Sequence, residues 1–204
     1  MSTLLVATRN KNKLIEIRTI LADINVEIKS LNDIETSIDD VIEDKQTFMG
    51  NAMKKAFLLS RSTQLLTIAD DSGLCIDYLK GGPGILSARF AGSDKDDHKN
   101  RIKVLSKMMN VRNDERTAFF TCSIALAENG TLVGLTEGIC NGYITHKEIG
   151  ENGFGYDSIF YYPPLHKTFG EIEMNKKNQI SHRYKALQLM KLILSNYIFA
   201  NKKA

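Results

Sequence analysis

The residues best suited to chemistry lie between Ile68 and Gly92, IADDSGLCIDYLKGGPGILSARFAG, where an apolar run ends in two adjacent carboxylates and then gives way to glycines. If the run is a strand, Asp70 and Asp71 stand at its C-terminal end, where α/β proteins place their ligands. Ser72 adds a hydroxyl and Gly73 a permissive backbone. Gly81, Gly82, Pro83 and Gly84 make a loop through which main-chain amides can approach an anion. Such a set suits a metal ion and a phosphate. Asp-Asp-Ser-Gly is also an ordinary strand-to-turn signal, because Asx side chains bond their own backbone. The functional reading therefore rests on the company these residues keep.

Thr8, Arg9, Asn10, Lys11, Asn12 and Lys13 bring a hydroxyl, two amides and three cations to the start of an amphipathic pattern through Leu14, Ile17, Ile20 and Leu21. At a helix N-terminus, free N–H groups and the helix dipole favour a phosphate. The competing reading makes Asn10 or Asn12 a routine helix cap and leaves the lysines solvated. Further on, Gly153-Phe154-Gly155-Tyr156-Asp157 puts two aromatics and a carboxylate on a glycine-rich turn. Phe154 or Tyr156 could stack on a base and Asp157 accept from a ring N–H, or the rings could fill a sheet-helix interface. Lys177 and the run Ile180-Ser-His-Arg183 follow, with Ser181 as cap of a last helix. His182 and Arg183 then fall in its first turn, against the dipole preference, which suggests a compensating anion or polar ligand.

The elements that must hold these groups can be read from the apolar spacing. Leu4–Ala7 and Val26–Leu31 read as strands. The acidic stretch 39–44, which contains Glu43, reads as a loop. Thr47 starts a helix whose apolar positions are Phe48, Ala52, Ala56 and Leu59, with Lys55 as a cation on it. Glu43 could meet Asp71. Residues 94–110 have helical spacing through Ile102, Leu105 and Met109. Residues 118–127 and 131–143 flank Asn129-Gly130, a strong hairpin signal. Ile159–Tyr162 is strand-like, and the last helix uses Ala186, Leu187, Met190, Ile193 and Leu194. The fold class is α/β: a mixed sheet with flanking helices, not a purely parallel one.

The chain has 204 residues, 43% hydrophobic and 25% charged. That is enough for one large domain or two small lobes with a real core. Its 27 basic against 24 acidic residues give a net charge of only +3, and the acidic residues are spread between the basic ones, so a nucleic-acid module is not expected. No apolar run approaches the roughly 20 residues that cross a bilayer and no basic n-region opens the chain, so a cytoplasmic location and no membrane partner are expected. Cys75, Cys122 and Cys140 are far apart, form no CxxC pair, and read as reduced, mostly buried thiols.

Taken in order, these stretches resemble the Ham1 family of inosine triphosphate pyrophosphatases over nearly the whole chain. The resemblance rests on residues 8–13, on Thr47-Phe48 with Asn51, Ala52, Lys55 and Ala56, and on Ala69-Asp-Asp-Ser-Gly-Leu74. It continues through Gly82-Pro-Gly84 with Ser87-Ala-Arg89, Gly153–Asp157, and Lys177 with Ile180-Ser-His-Arg183. It implies a single ITPase-like domain over residues 1–204, elongated and two-lobed around a central cleft. It also implies a homodimer and Mg²⁺-dependent hydrolysis of ITP, dITP or XTP to the monophosphate and pyrophosphate, cleansing the nucleotide pool. By motif, Asp71 is the catalytic carboxylate and a metal ligand, with Glu43 the second ligand. Thr8, Arg9, Asn10, Lys11, Asn12, Lys13 and Ser72 bind the triphosphate, and Phe154, Gly155, Tyr156, Asp157, Lys177, His182 and Arg183 line the base pocket. Arg9, Gly50, Ser158 and Tyr184 depart from the family's usual glycine, glutamate, proline and glycine. A purine-nucleotide sensor without turnover is the alternative, and pyrophosphate release from ITP separates the two.

Overall fold

The computed structural model describes residues 2–34 and 39–201. In chain order the elements are β1 (Ser2–Val6), α1 (Lys11–Ile20), β2 (Val26–Ser30), α2 (Phe48–Thr63), β3 (Leu66–Ile76), α3 (Asp97–Lys107), β4 (Thr117–Glu128), β5 (Thr131–Ile144), β6 (Phe160–Tyr162), β7 (Lys167–Thr168), α4 (Met174–Lys177) and α5 (His182–Asn201). The strands form one open sheet in the order β2-β1-β3-β4-β5-β6-β7. β1 runs parallel to β2 and β3, whereas β6 is antiparallel to β5 and β7. The sheet is thus mixed, as the hairpin signal and the strand-helix-strand opening together require.

The chain folds as two compact units. The first takes residues 1–71, 122–138 and 183–204, and the second takes residues 72–121 and 139–182. In the first, Leu4, Leu5 and Val6 are buried on both sides of β1, the pattern of a parallel strand covered on both faces. Leu4 and Val6 pack with Ile17, Leu21, Ile68, Cys122, Ile124, Leu187, Met190 and Leu194. A second layer is built of small residues: Ala52, Ala56 and Leu59 of α2 against Ala7, Ala69, Ala125 and Ala127. Alanines a turn apart let α2 lie close to the sheet, and this carries the neighbouring Asn51 and Lys55 inward, where both are buried.

The second unit packs Leu74, Ile76, Val104, Met108, Ile144, Tyr156, Ile159 and Ile172 around an aromatic cluster. Phe120 and Phe160 have ring centroids 4.6 Å apart, Phe160 and Phe169 5.0 Å, within the range of favourable aromatic pairs. The hairpin joining β4 to β5 turns at Asn129 and Gly130, at φ +49° and +74°, the left-handed pair that a two-residue loop of this twist demands.

Two expectations are corrected. β3 does not stop at Asp71 but runs to Ile76, because Leu74-Cys75-Ile76 provides three more buried strand residues. What ends is its neighbour: β1 finishes at Val6, opposite Ile68, so Asp70 and Asp71 lie beyond the parallel pairing although they are inside a strand. The buried face of α3 is also rotated from the one read in the spacing. Ile102 and Met109, at 48% and 69% exposure, face outward, while Asn100, Val104 and Met108 are buried. The polar Asn100 displaces the apolar residues because its amide bonds the Ala91 N–H and the Ala88 carbonyl. All three cysteines are buried, and none of them is in a disulfide. Among the described residues, no helix is long and apolar enough to cross a membrane.

Candidate active site

In the first unit, the middle of β3 presents Asp70 and Asp71 to two different environments. Asp70 is held by Lys13 of α1 at 2.9 Å and by Arg183 of α5 at 3.3 Å. Arg183 is itself paired with Glu16 of α1, and both side chains are buried. Burial alone would push Asp70 up, but Lys13, Arg183 and Lys55 outweigh it and hold the carboxyl well below the usual range. Asp70 is therefore a fixed anion that organises cations.

Asp71 behaves in the opposite way. Its Oδ2 accepts from the Asn51 amide at 2.9 Å, and the other end of Asn51 accepts the Lys45 N–H. Burial and the nearby charge of Glu43 push Asp71 up to about 6, against the pull of Lys55 and the Asn51 bond. Lys55 joins the set, donating to Glu43 at 2.7 Å and to the Asp70 carbonyl at 2.5 Å. Its ammonium is raised: burial lowers it, but Asp70, Glu43 and Asp71 together prevail. A carboxylate that titrates near neutrality, with one oxygen fixed and lysines beside it, is suited to accept a proton or to meet a cation.

The segment 8–13 divides in its roles. Asn10 caps α1, its side chain accepting from the N–H groups of Asn12 and Lys13, and Thr8 accepts the Asn10 N–H. Two of the amides expected to face a phosphate are thus used by the cap. Arg9 pairs with Asp40 at 2.8 Å. Lys11 and Asn12 are exposed, and Lys13 joins the carboxylate cluster through Asp70. Ser72 follows Asp71 on β3, half-buried, in the second unit.

The second unit holds the aromatic set. Lys177 of α4 donates to Asp157 at 2.6 Å and sits 4.6 Å from the centre of the Phe154 ring. Asp157 also accepts the Phe154 N–H at 2.8 Å. Gly153 is required here: it adopts φ +79°, and a Cβ would collide with the Asp157 carboxylate. Phe154, Asp157 and Lys177 are thereby one cation-aromatic-carboxylate assembly. Tyr156, 4% exposed, belongs to the core, and its hydroxyl donates to the Ser87 carbonyl. His182 stacks on Phe120 with centroids 4.7 Å apart. Arg183, expected with this base-lining group, pairs with Glu16 and reaches Asp70 in the first unit.

Sequence reasoning gave no site role to Asn51 or Glu16 and saw Lys55 only as a cation on a helix. Asn51 and Lys55 carried a usable signal, since each precedes one of the two alanines whose spacing marks the buried face of α2. Glu16 carried none, because its partner lies 167 residues away in sequence. Among the described residues, no three His, Cys, Asp or Glu side chains gather into a metal cage. The donors near Asp71 are carboxylate oxygens, which fit a hard cation that takes one or two protein ligands and completes its shell with water and phosphate.

Residues 4–193 match the sequence model of the Ham1 family. A dITP/XTP pyrophosphatase of Shouchella clausii is 49% identical over 94% of this chain and 96% of that protein. One of Desulforamulus reducens is 46% identical over 94% and 95%. Among solved structures, a HAM1 protein from Coxiella burnetii superposes with a TM-score of 0.88 at 36% identity, covering 96% of this chain and all of that one. The Ham1 protein of Staphylococcus aureus gives 0.85 at 35% identity with the same coverage. The order and spacing of the motifs, the mixed sheet and these likenesses agree: the chain belongs to the Ham1 family.

Proposed function

We propose that this protein hydrolyses non-standard purine nucleoside triphosphates, namely ITP, dITP and XTP, to the nucleoside monophosphate and pyrophosphate. In this reading it requires Mg²⁺ and works as a cytoplasmic homodimer that cleanses the nucleotide pool. The observation that carries the reading is Asp71, a buried carboxylate pushed up to about 6, fixed at one oxygen by Asn51 and flanked by Lys55 and Glu43. The names of the relatives support it.

Water attacks the α-phosphorus, the bond to the α–β bridging oxygen breaks, and pyrophosphate leaves. At pH 7.5 Asp71 is mostly ionised and takes the water's proton. Lys13 and Lys55 offset charge on the phosphates, the usual way such displacements are promoted. Asp70 keeps the lysines in place, with Arg183 and Glu16 fixing Asp70 from behind. Asp71 and Glu43 are the groups that would hold Mg²⁺, which supplies further neutralisation of the triphosphate when bound. Thr8, Asn10 and Ser72 contribute polar contacts to phosphate oxygens. Phe154, Asp157 and Lys177 take the base, the ring by stacking and the polar pair by hydrogen bonds.

The test is a panel of nucleoside triphosphates assayed with Mg²⁺ for pyrophosphate and orthophosphate. The expected result is pyrophosphate, with kcat/KM for ITP, dITP and XTP far above that for ATP and with GTP between. Equal hydrolysis of ATP and ITP would overturn the base assignment. Tight ITP binding without pyrophosphate would overturn the enzyme assignment in favour of a sensor.

A further inference from the structure

Gly155 lies at the centre of the 153–157 loop at φ +62°, with nothing within 4 Å of where a Cβ would be. It has no side chain by which the fold could hold it, so only its peptide groups can be anchored, and α3 holds both. Its N–H donates to Asp97 Oδ2 at 2.8 Å, and its carbonyl accepts from Arg101 Nη1 at 2.9 Å. Asp97 and Arg101 are four residues apart, hence on one face of the helix. Arg101 is held in turn by Glu148, to which its Nε donates at 2.7 Å. Glu148 also accepts from Ser158 at 3.2 Å and faces His98 Nδ1 at 3.2 Å.

We infer that Asp97 and Arg101 of α3 form a clamp on the Gly155 peptide that fixes Phe154 for base recognition, making them positioning residues for substrate choice. The inference rests on the reading of Phe154, Asp157 and Lys177 as the base-binding group. A loop with two left-handed glycines, Gly153 and Gly155, has unusually many conformations to lose. If it were free, ordering it would weaken binding; prepaid by the clamp, that cost does not fall on the ligand. The bonds at Gly155 touch neither Asp71 nor Lys55, so the clamp acts on binding and leaves the chemical step alone. Arg116 shows what an architectural arginine looks like in the same unit: it is buried, and its guanidinium donates to the carbonyls of Met108, Val111, Ile144 and Thr145. Arg101 is less enclosed and spends its fork on one loop peptide and one carboxylate.

The experiment compares Asp97→Ala, Asp97→Asn, Arg101→Ala and Arg101→Lys with the parent in steady-state kinetics and in hydrogen exchange followed by peptide. Asp97→Ala and Arg101→Ala should raise KM for ITP about tenfold, the effect of one lost charge-assisted hydrogen bond, with kcat within about threefold. The ITP-to-ATP ratio of kcat/KM should fall. Exchange should speed up in peptides covering 153–157 and stay unchanged in those covering 74–76. Asp97→Asn keeps an acceptor for the Gly155 N–H and should return near the parent. Arg101→Lys cannot bond Glu148 and Gly155 together in the same fork and should resemble the alanine variant. Faster loop exchange with unchanged KM and ratio, or a raised KM without faster loop exchange, overturns the clamp; so does exchange that speeds up throughout the chain. Absence of pyrophosphate release by the parent would instead overturn the proposed function, while the loop-exchange arm would still report on the clamp.

Discussion

The guanidinium of Arg183 donates to the carboxylate of Glu16, and both side chains are 2% exposed. The same guanidinium reaches Asp70 at 3.3 Å. Truncating one partner of such a group leaves buried charges uncompensated, which typically costs about 3–5 kcal/mol. Arg183→Ala should therefore lower unfolding stability by that amount before any effect on substrate choice is read. Glu16→Gln should cost less, since Asp70 keeps its partner. In a Glu16→Gln/Arg183→Met cycle measured by urea denaturation, the double variant should be more stable than the sum of the singles implies. Strict additivity would show that the pair is not coupled.

Asp71 and Asp70 should respond to pH with opposite signs. Asp71 keeps its proton up to about pH 6 in the folded protein, whereas an unfolded Asp releases it near about 3.9. Between those values the folded state binds more protons, so this group's contribution to stability falls as pH rises from about 4 to about 6 and is level above. Asp71→Asn removes the penalty. In chelator-treated buffer at pH 7.5 it should be more stable than the parent by up to about 3 kcal/mol, near 1.36 kcal/mol for each of the two units, with the gain vanishing below about pH 4. Asp70 is held low, so its contribution is present above the ordinary Asp pKa and lost as the pH falls toward the folded value. Turnover of Asp71→Asn should drop by roughly 10²- to 10⁴-fold. A variant that is both active and no more stable would remove Asp71 from its assigned role.

Glu43 is bonded to Lys55 at 2.7 Å and raises Asp71 by its charge. If Glu43 holds the metal, as proposed, its loss should matter most when the metal is scarce. Glu43→Gln should raise the Mg²⁺ concentration needed for half-maximal rate by about tenfold or more, with much of the rate recovered at saturation. An unchanged Mg²⁺ requirement would leave Glu43 only as the partner of Lys55.

Much of this arrangement was legible before the structure. The strand read at Leu4–Ala7, which the structure gives as Ser2–Val6, the hairpin at Asn129-Gly130 and the start of the last helix after Ser181 follow from local chemistry that acts within a few residues. The boundary of β3 was not, because Asp-Asp-Ser-Gly carries a turn signal that the buried run Leu74-Cys75-Ile76 overrides; it is the end of β1 at Val6 that opens the position. The face of α3 departs from the one the spacing gives, because Asn100 satisfies its amide internally and takes an inward position while Ile102 faces outward. The pairing of Arg183 with Glu16 is not legible either, because spacing alone marks Glu16 as a surface glutamate between Ile15 and Ile17. Long-range charge pairs of this kind leave no periodicity to read.

In the proposed function, Lys177 is the group that reads the base. Its ammonium is buried, 2.6 Å from Asp157 and over the Phe154 ring, and it carries only donors. Hypoxanthine and xanthine present an oxygen at C6, where adenine presents an amine, so a donor held beside the stacking ring favours the former and faces another donor in the latter. Sites that hydrogen-bond a substrate group can reject a mismatched analogue by about 10⁴-fold, because buried polar groups are left unpaired. Lys177→Met keeps most of the length of the side chain and removes the donors. It should lower kcat/KM for ITP while barely changing that for ATP, narrowing the ratio by at least about tenfold. Phe154→Leu, which removes only the stacking surface, should weaken both nucleotides alike, by the roughly 1–3 kcal/mol typical of one base-aromatic stack. Because Lys177→Met leaves Asp157 buried without its lysine, both variants should be assayed well below the melting temperature of the less stable one. If Lys177→Met and Phe154→Leu reduce ITP and ATP turnover by the same factor, Lys177 holds the loop together and does not read the base.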